Sequence, residues 1–166
     1  MSVTVPFASM WAKYPKPDRE SRADLFRSLG WDDLIDNKAY DNTCAIRMSV
    51  CLLRCGFSIP HGDLTILKGM LKGKRVKIRF DKLAVHLKAK WGKPEVIQNP
   101  TEELLRARGN GVVVFFKLSG GYPGHIDLLQ VTRSSYRFLW WTWTSVSSQC
   151  GSHCYDCAEC WYWPAK

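Results

Sequence analysis

The spacing of apolar residues changes character once along the chain, near Gly111. Before that point, apolar side chains recur at helical intervals between polar stretches. Leu25, Phe26 and Leu29 mark a first helix, entered from a cap near Asp18 and stopped by Gly30. Trp31 to Tyr40 reads as a loop leading to a second helix. The polar run Asp41-Asn42-Thr43 opens that helix, Ile46, Val50 and Leu53 line one side of it, and Gly56 ends it. Asp81 is placed to cap a third helix bearing Leu83, Ala84, Leu87 and Trp91, closed by Gly92. Asn99-Pro100-Thr101-Glu102 is a further capping pattern, with proline at the first helical position and glutamate at the third, and Gly109 ends that short helix.

Beyond Gly111 the pattern is that of strands. Val112 to Phe116 is a buried-strand run, followed by the glycine-rich turn Ser119 to Gly124 and then His125-Ile126-Asp127-Leu128-Leu129. Phe138 to Trp143 and Cys160 to Trp163 predict two more strands. Helices come first and antiparallel strands afterward, which is the α+β order, with a helix packed on a small antiparallel sheet. The basic stretch Lys72 to Ile78 has a period ambiguous between strand and loop. There is no internal repeat and no low-complexity linker, so residues 1–166 are expected to form a single domain.

Composition narrows the partners without choosing one. With 166 residues, 46% of them hydrophobic, the chain can bury a core without metals or disulfides as staples. Its 24 lysines and arginines against 15 acidic residues leave a net charge of +9, which attracts polyanions: nucleic acid, an anionic cell-wall polymer or an acidic protein. The tryptophans fall within apolar strands, where they read as core and groove lining. Nucleic acid is therefore not expected, although a basic nucleic-acid-binding domain and a non-catalytic wall-binding domain stand as alternatives. No run approaches the roughly 18 apolar residues that cross a bilayer, so no membrane partner is expected. Met1 to Pro6 lacks a secretory n-region and h-region, which predicts synthesis in the cytoplasm without a signal peptide.

Chemistry concentrates at two positions. Cys44 falls in the first turn of the second helix, where unpaired backbone N–H groups and about half a positive charge favour thiolate over thiol; Arg47, one turn on, can add to this. His125 opens a strand after a glycine turn, and Asp127, two residues on, shares its face. A cysteine at a helix start with a histidine at a strand start is the topology by which papain-like hydrolases join thiolate and imidazole. Cys51 and Cys55 are better explained by packing. Two helical turns put Cys44 about 10 Å from Cys51, and cysteines at i,i+4 bridge poorly.

Asn42 to Ser49, Gly56-Phe57-Ser58-Ile59 and Gly124-His125-Ile126-Asp127-Leu128 together resemble the type VI secretion amidase effectors of the fourth family, which are antibacterial toxins with a papain-like, NlpC-type fold. Arg79 to Leu83, Trp91-Gly92-Lys93-Pro94 and Trp161-Tyr162-Trp163-Pro164 extend the resemblance over nearly the whole chain. It implies a cysteine peptidase that cuts peptidoglycan stem peptides between γ-D-glutamate and meso-diaminopimelate, with Cys44 as nucleophile and His125 as base. It further implies a cognate immunity protein, no cofactor, and injection into the periplasm of a target cell.

One departure concerns the third catalytic group. Where the family places an aspartate in a Cys-x-Asp-x-Cys loop, this chain has Cys150-Gly151-Ser152-His153-Cys154. Asp127 is the first substitute in order, followed by Ser152 or His153. Against Asp127 stands a Cα separation from His125 of about 6.5 Å along one strand. Cys150, Cys154, Cys157 and Cys160 are open to zinc, disulfide or free-thiol readings. The resemblance to an exported protein favours disulfides, with Cys150 and Cys154 as one pair and Cys157 with Cys160 as a possible second.

Overall fold

The computed structural model describes residues 3–121, 123–136, 139–146 and 154–166. The chain opens with α1 (Phe7–Lys13), which hydrophobic spacing did not predict. Seven residues show too little of a period, and this helix is held by docking instead. Phe7 and Met10 are buried, and the Phe7 amide donates to the Lys166 carbonyl at 2.7 Å. α2 (Arg22–Leu29) starts later than expected. Ser21, not Asp18, caps it by accepting from the Asp24 amide, and Gly30 ends it in the left-handed conformation at φ 80°. The loop to α3 contains two 3-10 turns, Asp32–Leu34 and Lys38–Tyr40.

α3 (Cys44–Arg54) is more than amphipathic: every residue from Cys44 to Leu53 is buried. Neighbours surround it, with α1 on one flank and, on others, β2 (Arg75–Val76), α4 (Phe80–Trp91) and β5 (Gly124–Tyr136). The ambiguous basic stretch contributes β2, which pairs antiparallel with β1 (Leu64–Thr65) in a small hairpin. Arg79, not Asp81, occupies the cap position of α4, and Asp81 lies in its first turn paired with Arg79. β3 (Glu95–Gln98) was not foreseen; only Ile97 of its four residues is buried, so it carries no alternation to read. Thr101 caps α5 (Glu102–Arg108) by accepting from the Leu104 amide, which leaves Pro100 outside the helix.

β4 (Gly111–Leu118), β5, β6 (Leu139–Val146) and β7 (Cys157–Pro164) join β3 in one antiparallel sheet of order β3-β7-β4-β5-β6. The last strand thus enters between β3 and β4. Period-two alternation divides the side chains of β4 and β5 cleanly. Val112, Val114, Ile126 and Leu128 enter the core beneath α3, whereas Val113, Phe115 and Leu129 join Leu105, Cys160 and Tyr162 in a second cluster. Both faces of the sheet are covered, which is why β4 reads as a continuous apolar run. β7 is also tied to two helix ends: Trp163 Nε1 donates to the Gly92 carbonyl at 3.0 Å, and the Tyr162 hydroxyl lies 2.9 Å from the Asn110 carbonyl.

The β4–β7 contact leaves no room for a side chain at its start. A Cβ on Gly111 would lie 2.3 Å from Tyr162 Cε2 and 2.5 Å from the Trp163 carbonyl oxygen. Gly111→Ala is therefore expected to lower unfolding free energy by about 1–3 kcal/mol, read as a reduced urea midpoint at unchanged slope.

Candidate active site

Cys44 lies at the N-terminal end of α3, only 5% exposed. The helix start is organised by two polar neighbours acting in different ways. Asn42 Oδ1 accepts from the Cys44 amide at 3.1 Å, satisfying one orphan donor, while Thr43 makes no side-chain cap bond. Thr43 Oγ1 instead accepts from Arg47 Nε at 2.9 Å. The Arg47 guanidinium also donates to the Pro15 carbonyl at 2.5 Å and the Glu20 carbonyl at 2.9 Å. It is thus a buried clamp between α3 and the segment before α2, and its burial lowers its pKa. The expectation that Arg47 supports the Cys44 thiolate gives way to this structural role.

His125 is the second residue of β5, and the Cys44 side chain lies close enough to act on its ring. On its other side, His125 Nε2 lies 3.0 Å from Asp127 Oδ2. The separation along the strand, which counted against Asp127, is closed because its carboxylate turns back toward the ring. Asp127 is fully buried, and its second oxygen accepts from the Leu128 amide at 2.8 Å. The structure thus brings the three expected residues together, with His125 bonded to Asp127 and Cys44 beside the ring. Gly124, immediately before His125, admits the Phe80 ring, since a Cβ there would lie 2.4 Å from it. Phe80 is a neighbour of the site that helical spacing did not single out, although it lies in the Arg79 to Leu83 segment that carries the resemblance.

Electrostatics favour a charged ring. Burial acts to lower the pKa of His125, but the hydrogen bond to the Asp127 carboxylate and the nearby Cys44 sulfur outweigh it, and the pKa is pushed up to about 10. An imidazolium held between a sulfur and a carboxylate can supply a proton to a leaving group and recover it from water.

The remaining candidates separate. Ser152, His153 and Cys150 lie outside the described residues. Cys157 and Cys160 are free thiols, which corrects the suggested second disulfide. Three residues apart on one strand, their Cα atoms are about 10 Å apart, beyond disulfide reach. Cys154 is buried and carries no free thiol. Among the described residues no group of three His, Cys, Asp or Glu side chains is placed to hold a metal. Cys51 is fully buried and its thiol donates to the Met10 carbonyl at 3.2 Å, in keeping with a packing role.

Mixed α/β proteins with this arrangement include secreted bacterial effectors. The Tae4–Tai4 effector–immunity complex from Enterobacter cloacae shares 21% identity with the chain and superimposes with a TM-score of 0.73, covering 99% of this chain and 100% of that one. Tae4 from Salmonella typhimurium, in complex with Tai4 from Enterobacter cloacae, gives 20% identity and a TM-score of 0.71 over 98% and 99%. Tae4 from Enterobacter cloacae by itself gives 22% and 0.70 over the full length of both chains. At these identities the likeness establishes the fold. The family model for type VI secretion system amidase effector protein 4, Tae4, matches residues 40–163, which span Cys44, His125 and Asp127, and the chain belongs to that family. It is accordingly a secreted antibacterial amidase of the cell wall. No curated protein matches it.

The raised pKa of His125 has a pH signature. Because folding favours the protonated ring, its contribution to stability is complete below the ordinary histidine pKa of 6.5 and is lost as pH rises through about 10. An NMR titration should place His125 near 10, and Asp127→Asn should lower that value by roughly one unit or more and flatten the alkaline decline in Tm. A wild-type titration near 6.5 would contradict the arrangement.

Proposed function

We propose that the chain is a DL-endopeptidase of papain-like, NlpC type that cleaves the γ-D-glutamyl–meso-diaminopimelate bond of peptidoglycan stem peptides. The observation that carries this reading is the grouping of Cys44, at a helix start, with His125, at a strand start, and the His125–Asp127 hydrogen bond behind the ring. Cys44 Sγ, its proton held on His125, attacks the γ-carbonyl carbon of D-glutamate. The positive end of α3 faces the negative charge that develops on the carbonyl oxygen. His125 passes its proton to the diaminopimelate amine as the C–N bond breaks, leaving a thioester on Cys44. Water then gives a proton to His125 and attacks the thioester carbon. The C–S bond breaks, the sulfur–imidazolium pair is restored, and the γ-carboxylic acid released loses its proton to solvent. Asp127 holds the ring in position and stabilises its charge throughout.

Several further readings accompany this one. Residues 1–166 act as one catalytic domain, supported by a core cluster that runs from Val5 to Ala165. The excess of basic residues suits an anionic wall. An immunity protein is the expected partner, by analogy with the Tae4–Tai4 complexes. Action belongs in the periplasm of the target cell, an oxidising compartment in which the family pattern supports pairing of Cys150 with Cys154.

Digestion of defined diaminopimelate muropeptides, read by mass spectrometry, tests the bond and the nucleophile together. The wild-type chain should release products with a new diaminopimelate amine, and Cys44→Ala should lower the rate by about a thousandfold or more. Undiminished cleavage by that variant would exclude the cysteine mechanism. In Gram-negative cells, periplasmic expression should cause lysis while cytoplasmic expression leaves growth intact; equal toxicity in both compartments would place the target elsewhere.

A further inference from the structure

The β1–β2 hairpin carries an exposed apolar tip among lysines, away from the Cys44 site. Its connecting run is Ile66-Leu67-Lys68-Gly69-Met70-Leu71-Lys72-Gly73-Lys74. The run is a defined turn, closed by bonds from the Ile66 amide to the Lys74 carbonyl at 2.9 Å and from the Gly73 amide to the Ile66 carbonyl at 2.8 Å. Ile66 and Val76 root it in the core, whereas Met70 is fully exposed and Leu67 is 54% exposed. Isolated exposed apolar residues are common, but here three lysines, Lys68, Lys72 and Lys74, share the turn with them.

Lys68 is the only lysine of the turn paired with a carboxylate among the described residues, that of Asp32 at 3.0 Å. Lys72 and Lys74 are exposed and enter no described ion pair. Lys13, across the cavity behind the hairpin, donates to the Arg54 carbonyl at 3.0 Å. Glu20 is paired with Arg54, and Asp63 accepts from the Ile78 amide. The cavity, of about 640 Å³, has an apolar floor of Leu29, Leu53 and Leu71. Lys13 and Lys68 stand at its rim, and Met70 stands beside it.

We propose that this hairpin and its cavity dock on an anionic phospholipid surface, with Met70 and Leu67 entering the acyl boundary and Lys13, Lys72 and Lys74 on the phosphates. An apolar tip that enters the interface inside a ring of cations is the combination that binds acidic bilayers. Nucleic acid fits less well, because no aromatic residue lies between Leu64 and Val76 to stack on a base. Crossing a bilayer is not involved, and no described helix is long and apolar enough for it. The docking is independent of the reading of Cys44, and a Cys44→Ala chain serves equally in its test.

The test is co-sedimentation of the full chain with phosphatidylcholine vesicles, with and without phosphatidylglycerol at about one lipid in three, at low and high salt. The wild type and Met70→Leu should sediment only with phosphatidylglycerol vesicles, and less at high salt. Met70→Asp and the double variant Lys72→Gln/Lys74→Gln should each lose about tenfold or more in partitioning. All these positions are exposed, so Tm should be unchanged throughout. Absence of wild-type binding to phosphatidylglycerol would overturn the proposal. So would undiminished binding by Met70→Asp, or retention on duplex DNA as strong as on the acidic vesicles, which would mark charge attraction alone.

Discussion

Burial of α3 on every side is the constraint from which the rest of the molecule follows. Fully burying residues such as Ile46, Met48 and Leu52 stabilises the fold by about 1.5–3 kcal/mol each. Such a helix cannot leave its end groups to water, so the chain supplies them with partners: Asn42 for the Cys44 amide, and Arg47 to tie Thr43 to the Pro15 and Glu20 carbonyls. The thiol at the start of this helix inherits a fixed position and nearly complete exclusion from solvent. A rigid position for Cys44 is thus a by-product of core packing.

The sheet completes the site by setting ring and carboxylate on one strand. β5 lies beside β4 in a register that places His125 opposite Phe115 and Asp127 opposite Val113, so neighbours hold both polar side chains in an apolar setting. In that setting a buried carboxylate is tolerable because it is engaged on both oxygens, by the ring and by the Leu128 amide. Exposed ion pairs elsewhere, such as Arg27–Asp24 and Lys68–Asp32, add little by comparison. The His125–Asp127 pair is thus a buried charge pair, and the +9 net charge of the protein acts at the surface as a field toward polyanions.

The elements legible in the sequence were those whose signals are local. Helix stops at Gly30, Gly56, Gly92 and Gly109, and the apolar strand from Gly111, stand close to where spacing put them. α1 and β3 escaped because each is short and held by distant partners, Lys166 for one and β7 for the other. Caps were legible as polar clusters but not as assignments: Ser21 took the place of Asp18, and Asn42 outranked Thr43. Which oxygen meets which amide depends on backbone angles that composition does not specify.

By itself the sequence determined the helix-then-sheet order and the two chemically apt residues, Cys44 at a helix start and His125 after a glycine turn. The reason is that capping, glycine conformations and period-two alternation act over a few residues. Only the tertiary structure decided that Asp127 bonds His125 despite their separation along the strand, that Arg47 clamps a loop and not the thiolate, and that Cys157 and Cys160 stay apart as thiols. Each of these depends on where a side chain turns within a packed interior, and that is set by neighbours remote in the chain.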